Sequence, residues 1–289
     1  MNKTIGLRIC IVLITLFLIG CGGSDVEKAT QFNFKQGTPE LNIQLFDNAP
    51  PDTIYPQSSF KFIVELDNQA AYDVTDGKVS IIGLDTTYFT VSPNEQVFDP
   101  LLGRSLTNPS GERTFVDIFD GKSNDLFQGS EQYSTNFILK AEYTSTMEFV
   151  DTVCINPNLY DVYDAGCAVE ETMSYSGQGS PLMVNHVEEI ITPGDFPEVE
   201  FRLFLSNGGQ GDIKDITFMN AELGGKRLEC QFQGSEDKRK IIGTEIEREA
   251  VLICKKSILE NLDSYMTTLS ADFTFTYEWT KQHSLTLVK

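Results

Sequence analysis

Hydrophobic and polar residues alternate with a period of two along most of this chain. Turn-forming residues interrupt the alternation about every 8–12 positions, a spacing typical of antiparallel β-sandwiches. Alternation of this kind places one face of a strand in a core and the other face in water. The pattern therefore predicts an all-β protein with roughly seven strands in each half of the chain, a count typical of immunoglobulin-like sandwiches.

Two stretches of the sequence occur twice, in the same order. Phe62–Asn68 resembles Phe201–Asn207, and in both places the asparagine opens a turn that leads into a second alternating segment. Phe137–Thr144 likewise resembles Phe273–Thr280. The spacing between the copies is nearly the same at the two matches, 139 and 136 residues. We therefore predict a duplicated β module.

The duplication predicts two tandem immunoglobulin-like sandwiches. The first is expected over 41–155 and the second over 183–289, with a disulfide-stapled junction over 156–182. One short helix is also predicted, because Ser257–Glu260 has the spacing of a capping box.

The turns suggest a family. The asparagine-led turns, together with Asn48–Pro51, Tyr55 and Cys154–Pro157, resemble the Ig-like (CARDB-like) modules of archaeal and bacterial surface lipoproteins. The resemblance implies a sandwich fold and an extracellular binding or scaffolding role, and it implies no catalytic residues. The first copy departs from the pattern, because Asn68–Ala71 has no glycine after the asparagine.

The N-terminus has the three parts of a secretory signal. Lys3 and Arg8 are followed by the apolar run Ile9–Ile19, and then by Gly20 and Cys21. This order predicts a signal peptide over 1–20, cleavage before Cys21 and lipidation of that cysteine, which would anchor the protein to a membrane. The alternative is an uncleaved signal anchor, although the apolar run is shorter than the roughly 20 residues that span a bilayer.

Residues 21–40 are polar and are interpreted as a lipidated flexible tether.

The acidic composition of the chain limits its possible partners. The formal net charge of −20 repels phosphate backbones and excludes nucleic-acid binding. The expected partners are the membrane, through the lipid, and either another envelope protein or a second copy of the chain.

Four cysteines remain beyond Cys10 in the signal and Cys21 at its end: Cys154, Cys167, Cys230 and Cys254. An even number of cysteines in an exported chain indicates disulfides, and four cysteines allow three connectivities. We favour the two local pairings, Cys154 with Cys167 and Cys230 with Cys254. A zinc site is the alternative, but the CxxC spacing and neighbouring histidines that favour one are missing.

The sequence offers little for catalysis. His186 and His283 are the two histidines, and neither has the spacing of a metal site or of a nucleophile–base pair. Glu142 and Glu278 occupy matching places in the two copies. Because a glycosidase needs two carboxylates facing one cleft, we interpret these as outward polar residues of separate modules.

Two loops are candidates for binding. Asp117, Asp120, Gly121 and Asp125 form an acidic loop that offers oxygen ligands to calcium, although an acidic turn is the simpler explanation. The apolar segment Pro100–Leu106 either packs over its own sandwich or contacts a partner.

These observations predict a non-enzymatic, membrane-anchored extracytoplasmic lipoprotein that needs no cofactor and acts as a binding or structural module of the cell envelope. A first alternative is an accessory subunit of an envelope secretion, transport or pilus-like machine. A second is an envelope carbohydrate-active hydrolase, which would require paired acids and aromatic side chains in a deep cleft.

Overall fold

The computed structural model describes residues 33–157, 166–194, 197–243, 249–258 and 263–289. The predicted signal, Cys21, the first part of the predicted tether and most of the predicted helix after Ser257 lie outside these ranges. The strands, in chain order, are β1 Leu41–Leu45, β2 Thr53–Ile54, β3 Ser59–Asn68, β4 Val74–Ile82, β5 Phe89–Ser92, β6 Glu95–Phe98, β7 Arg113–Ser123, β8 Gln132–Ile155, β9 Thr172–Ser174, β10 Leu182–Thr192, β11 Glu198–Asn207, β12 Asp212–Leu223, β13 Lys226–Arg227, β14 Glu229–Phe232, β15 Lys240–Ile242, β16 Ala250–Ser257 and β17 Tyr265–Val288.

The strands form three sheets, and the protein is all-β in its described parts. The first sheet has the order β1-β3-β7-β5 and comes from the first half of the chain. The second sheet has the order β14-β16-β11-β10-β9 and comes from the second half. The third, which we call the shared sheet, has the order β13-β12-β17-β8-β4-β6, with β15 on β12 and β2 on β17. Both halves of the sequence therefore contribute to one sheet.

Two long strands hold the shared sheet together. β8 and β17 contain 24 residues each. They pair antiparallel over their whole length, from the pair Gln132–Val288 to the pair Ile155–Tyr265. Such a ladder joins the first half of the chain to the second by main-chain hydrogen bonds.

Residues 134–143 and 147–155 alternate as two segments in the sequence, but a single strand, β8, runs through both. The polar residues between them continue the alternation and do not form a turn. Ser145 takes a buried position there, where its hydroxyl donates to the backbone carbonyl of Asp73 at 2.8 Å. The alternating segments 271–279 and 284–288 likewise belong to one continuous strand, β17.

One face of the shared sheet is buried along most of its length. The odd-numbered side chains of β8 and β17 point into the core over most of both strands. At one end, Phe62 of the first sheet packs against Phe137 of β8, with ring centroids 5.3 Å apart. At the other end β8 contacts β10 of the second sheet. The first and second sheets therefore lie side by side on the same face, and residues 34–289 form one compact unit.

The two asparagine-led turns have the same hydrogen bonds. In each turn the backbone N–H two residues on donates to the asparagine Oδ1, at 3.1 Å for Asn68 and 3.0 Å for Asn207. The asparagine Nδ2 then donates to the carbonyl four residues on, at 3.0 Å and 2.6 Å. The missing glycine after Asn68 leaves this geometry unchanged, and the equivalence supports duplication.

Substituting each asparagine in turn should distinguish the stability that comes from the turn hydrogen bonds from the stability that depends on burial. Asn68 is fully buried and also donates to the carbonyl of Leu101 at 3.1 Å, whereas Asn207 is exposed. We expect Asn68→Ala to lower the free energy of unfolding by about 2–3 kcal/mol and Asn207→Ala by about 1 kcal/mol. The loss is larger at Asn68 because the backbone groups that lose their hydrogen-bond partner there are buried. Urea denaturation of both variants measures this difference. Equal losses would contradict it.

The segment before β1 is attached to the body, so the predicted flexible tether over 21–40 is wrong for residues 34–40. Thr38 Oγ1 donates to the carbonyl of Gly208 at 3.1 Å, and the N–H of Gly179 donates to the carbonyl of Gly37 at 2.8 Å. Polar composition alone does not distinguish a solvated linker from a segment whose polar groups bond to the protein.

Candidate functional site

The second half of the chain carries a cleft of about 600 Å³ between β14, at the edge of the second sheet, and β12 of the shared sheet. Four cationic side chains line it over an apolar floor that includes Phe218, Leu228 and Ile253. The cations are Arg227, Lys238, Arg239 and Lys255. We call this site the basic cleft.

The charge of the basic cleft is opposite to that of the protein. The chain contains 22 Lys and Arg against 42 Asp and Glu, yet residues 226–256 contain eight cationic and six acidic residues. Sequence reasoning missed this site because the net charge of −20 masks a local excess of the other sign. A charge count over a short window would have found it.

Two of the cations are held in place. Arg239 donates to the carbonyl of Met219 at 2.6 Å, and its guanidinium carbon lies 5.8 Å from the centre of the Phe218 ring. Lys255 lies 2.7 Å from Glu200, and this hydrogen bond raises the pKa of Lys255 above its ordinary value. Anchored cations lose less conformational entropy when a ligand binds.

A disulfide fixes one wall of the cleft. Cys230 on β14 lies directly opposite Cys254 on β16, with the Cα atoms 4.0 Å apart. The second disulfide joins Cys154 to Cys167, with the Cα atoms 5.9 Å apart. These are the two pairings favoured from the sequence, and they leave none of the four thiols for zinc. Two disulfides indicate an oxidising, extracytoplasmic environment.

The interpretation of Glu142 and Glu278 as residues of separate modules is wrong. They are direct partners across β8 and β17, at the middle of the shared sheet. Lys140 bridges them, 3.8 Å from Glu142 and 2.5 Å from Glu278. Lys78 and Lys214 lie on the outer sides, 3.4 Å and 2.9 Å from the same carboxylates. The alternation showed their face but not that the two strands pair.

This group of five charges has the properties of a structural ion-pair network. Partial burial alone would raise the pKa of Glu278, but the ammonium groups of Lys140 and Lys214 outweigh it and hold that pKa below its ordinary value. A glycosidase acid needs a raised pKa instead. The pair therefore gives no support to the hydrolase alternative.

Both histidines lie in aromatic pairs. His186 stacks on Phe204, its partner across β10 and β11, with ring centroids 3.9 Å apart. His283 stacks on Phe137 at 5.5 Å, and burial lowers the pKa of its imidazole. His283 lies within β17, which continues to Val288.

The predicted acidic loop is mostly strand. Asp117, Asp120 and Gly121 belong to β7, and Asp125 accepts a hydrogen bond from Gln57 at 2.7 Å. Gly121 serves packing, because a Cβ there would lie 2.3 Å from the ring of Phe60.

The apolar segment Pro100–Leu106 packs on its own half of the protein through Leu101. Leu101 is buried and exchanges backbone hydrogen bonds with Val74 at 2.9 Å. Leu102 and Leu106 are exposed.

Within the described ranges, no helix is long and apolar enough to cross a membrane. The same residues contain no group of three or more His, Cys, Asp or Glu side chains placed to hold a metal ion. No protein-family model matches the chain, and no curated protein matches it. The resemblance to Ig-like surface lipoproteins stays a prediction, and the class that the structure establishes is all-β with several packed sheets.

Proposed function

We propose that this chain is a non-enzymatic, lipid-anchored extracytoplasmic binding protein of the cell envelope, built from two Ig-like halves that share a sheet. The basic cleft carries the proposal. It concentrates cationic side chains over an apolar floor in a protein whose net charge is −20. Pockets with an apolar lining and a few convergent charges are typical of ligand sites.

The chemistry of the cleft favours recognition over catalysis. Its lining charges are mainly guanidinium and ammonium groups, which attract anions. General acid–base catalysis relies more often on histidine and carboxyl groups. Glu229 is the acidic group of the lining, and it is exposed.

The envelope location is supported from two sides. The N-terminal sequence has the order of a lipoprotein signal ending at Cys21. The two disulfides suit the oxidising compartment to which such a signal directs a chain.

Mass spectrometry of the mature N-terminus tests the anchor. In protein purified from membranes, the N-terminal peptide should begin at Cys21 and carry the mass of acyl chains. Cys21→Ser should remove that mass, because the lipid needs the thiol. Cys10→Ser is the matched control and should leave it unchanged, since Cys10 departs with the signal. A wild-type peptide that begins at Met1 without acyl mass would establish the uncleaved signal anchor.

A further inference from the structure

We propose that the basic cleft binds a small polyanion, a ligand that carries two or more phosphate or carboxylate groups on a compact body. This inference rests on the binding role proposed above and adds the chemical class of the ligand. It follows from the balance of charge in the cleft, from a backbone donor at its wall and from its size.

The charges that line the basic cleft indicate how many negative groups the ligand carries. Lys255 already has Glu200 and Glu198 as partners, at 2.7 Å and 3.4 Å. Among the described residues, the side chains of Arg227 and Lys238 have no ion-pair partner, and Arg239 is bonded to a neutral carbonyl. Among the lining residues, three cations therefore stand against the carboxylate of Glu229. The excess of two positive charges matches a ligand with at least two negative charges.

The wall of the cleft also supplies a backbone donor. In an antiparallel pair, N–H groups of successive residues point alternately toward and away from the partner strand. Phe232 of β14 points its N–H away from β16, where it donates to the carbonyl of Lys238 at 3.0 Å. Cys230, two residues earlier, must point its N–H the same way. Cys230 lines the cleft and is tied to β16 by its disulfide, so we assign this N–H to the site as its backbone donor.

Size and surroundings favour a compact anion. A volume of about 600 Å³ lies within the usual range for small-ligand pockets. The floor of Phe218, Leu228 and Ile253 suits the uncharged body of such a ligand. A long polyanion would leave the cleft and meet the surface of a protein with net charge −20, which repels it.

Calorimetric titration tests the proposal with two probes. Full-length protein in detergent, at low salt, is titrated with tripolyphosphate and separately with citrate. We expect saturable binding of at least one probe with a stoichiometry of one. The double variant Arg227→Gln, Lys238→Gln should weaken it at least tenfold, because it removes both unpaired charges. Lys61→Gln with Lys122→Gln, two exposed lysines of the first half, is the matched control and should leave the affinity within twofold.

The two probes separate phosphate from carboxylate recognition, and either one supports the proposal. Absence of saturation at millimolar concentration, or equal weakening in both double variants, would overturn it. Salt-sensitive self-association that the cleft variant abolishes, without binding of either anion, would also overturn it and assign the cleft to a second copy of the chain. The N-terminal mass is measured separately, so a failed titration leaves the anchor standing. All four substituted side chains are exposed, and urea denaturation checks that both variants fold.

Discussion

Neither half of this protein should fold when it is expressed without the other. The fragments 33–157 and 158–289 each contain half of the repeated sequence, but each also ends in a long strand whose far part packs on the other half. The end of β17 pairs with β2 of the first half, at Leu287 opposite Ile54. The end of β8 packs on the second half, where Phe149 meets Tyr175 with ring centroids 4.9 Å apart.

The free energy lost on separation is comparable to the stability of a whole domain. Each fragment alone exposes large buried side chains, and each of these contributes about 1.5–3 kcal/mol. The total stability of a domain is only about 5–15 kcal/mol. The side chains that separation exposes include Met147, Phe149 and Val153 in the first fragment and Trp279, Leu285 and Leu287 in the second.

Circular dichroism and amide NMR spectra of the fragments measure this result. The fragments should be unfolded separately and should regain a dispersed spectrum when mixed at equal concentration. Cys154 and Cys167 are changed to serine in both, because that disulfide crosses the cut. The uncut chain with the same two serines is the control and should unfold in one cooperative urea transition. A folded spectrum for either fragment alone would instead support two independent tandem domains.

The all-β class of the protein could be predicted from the sequence, because burial of one face of a strand depends on local residues. Alternation over Phe62–Asn68 and over Phe137–Thr144 depends only on the residues themselves. The cysteine pairings were also accessible, since each pair is close in sequence, with separations of 13 and 24 residues. The duplication could be recognised for the same reason, because recognising it requires only a comparison of two local sequence patterns.

The pairing of strands was not accessible in this way. Alternation assigns Glu142 and Glu278 to an outer face but does not say which strand lies beside them, because main-chain hydrogen bonds carry no residue identity. Sequence reasoning therefore placed them in separate modules. The position of the basic cleft could not be predicted for the same reason, since it brings together Arg227 of β13 and Lys238 of the connection between β14 and β15.

An irregularity in strand β10 explains why a carboxyl group lies in the core. β10 shifts its register against β11 between Val184 and His186. After the shift the inward positions are odd-numbered, so Glu189 points into the core while Ile190 faces solvent. Glu189 is 3% exposed. Neither carboxylate oxygen has a hydrogen-bond partner among the described residues.

This buried carboxyl group should make the protein less stable as the pH rises toward neutrality. Burial raises the pKa of Glu189 from 4.5 to about 8, so the folded state holds the proton more tightly than the unfolded state does. The penalty is absent below pH 4.5, grows as the pH rises and is complete above pH 8. Between pH 4.5 and pH 7 the free energy of unfolding should fall by about 3 kcal/mol from this group.

The comparison of two neighbouring variants isolates that contribution. Urea denaturation from pH 4.5 to pH 8 should show a much flatter stability profile for Glu189→Gln than for the wild type. Glu188→Gln is the matched control and should keep the falling profile, because Glu188 points away from the core and lies 3.6 Å from Arg202. His283 acts in the opposite direction, since its lowered pKa favours the folded state as pH rises, but it is present in all three proteins and cancels. Identical slopes for Glu189→Gln and the wild type would mean that the carboxyl group is solvated or paired in solution.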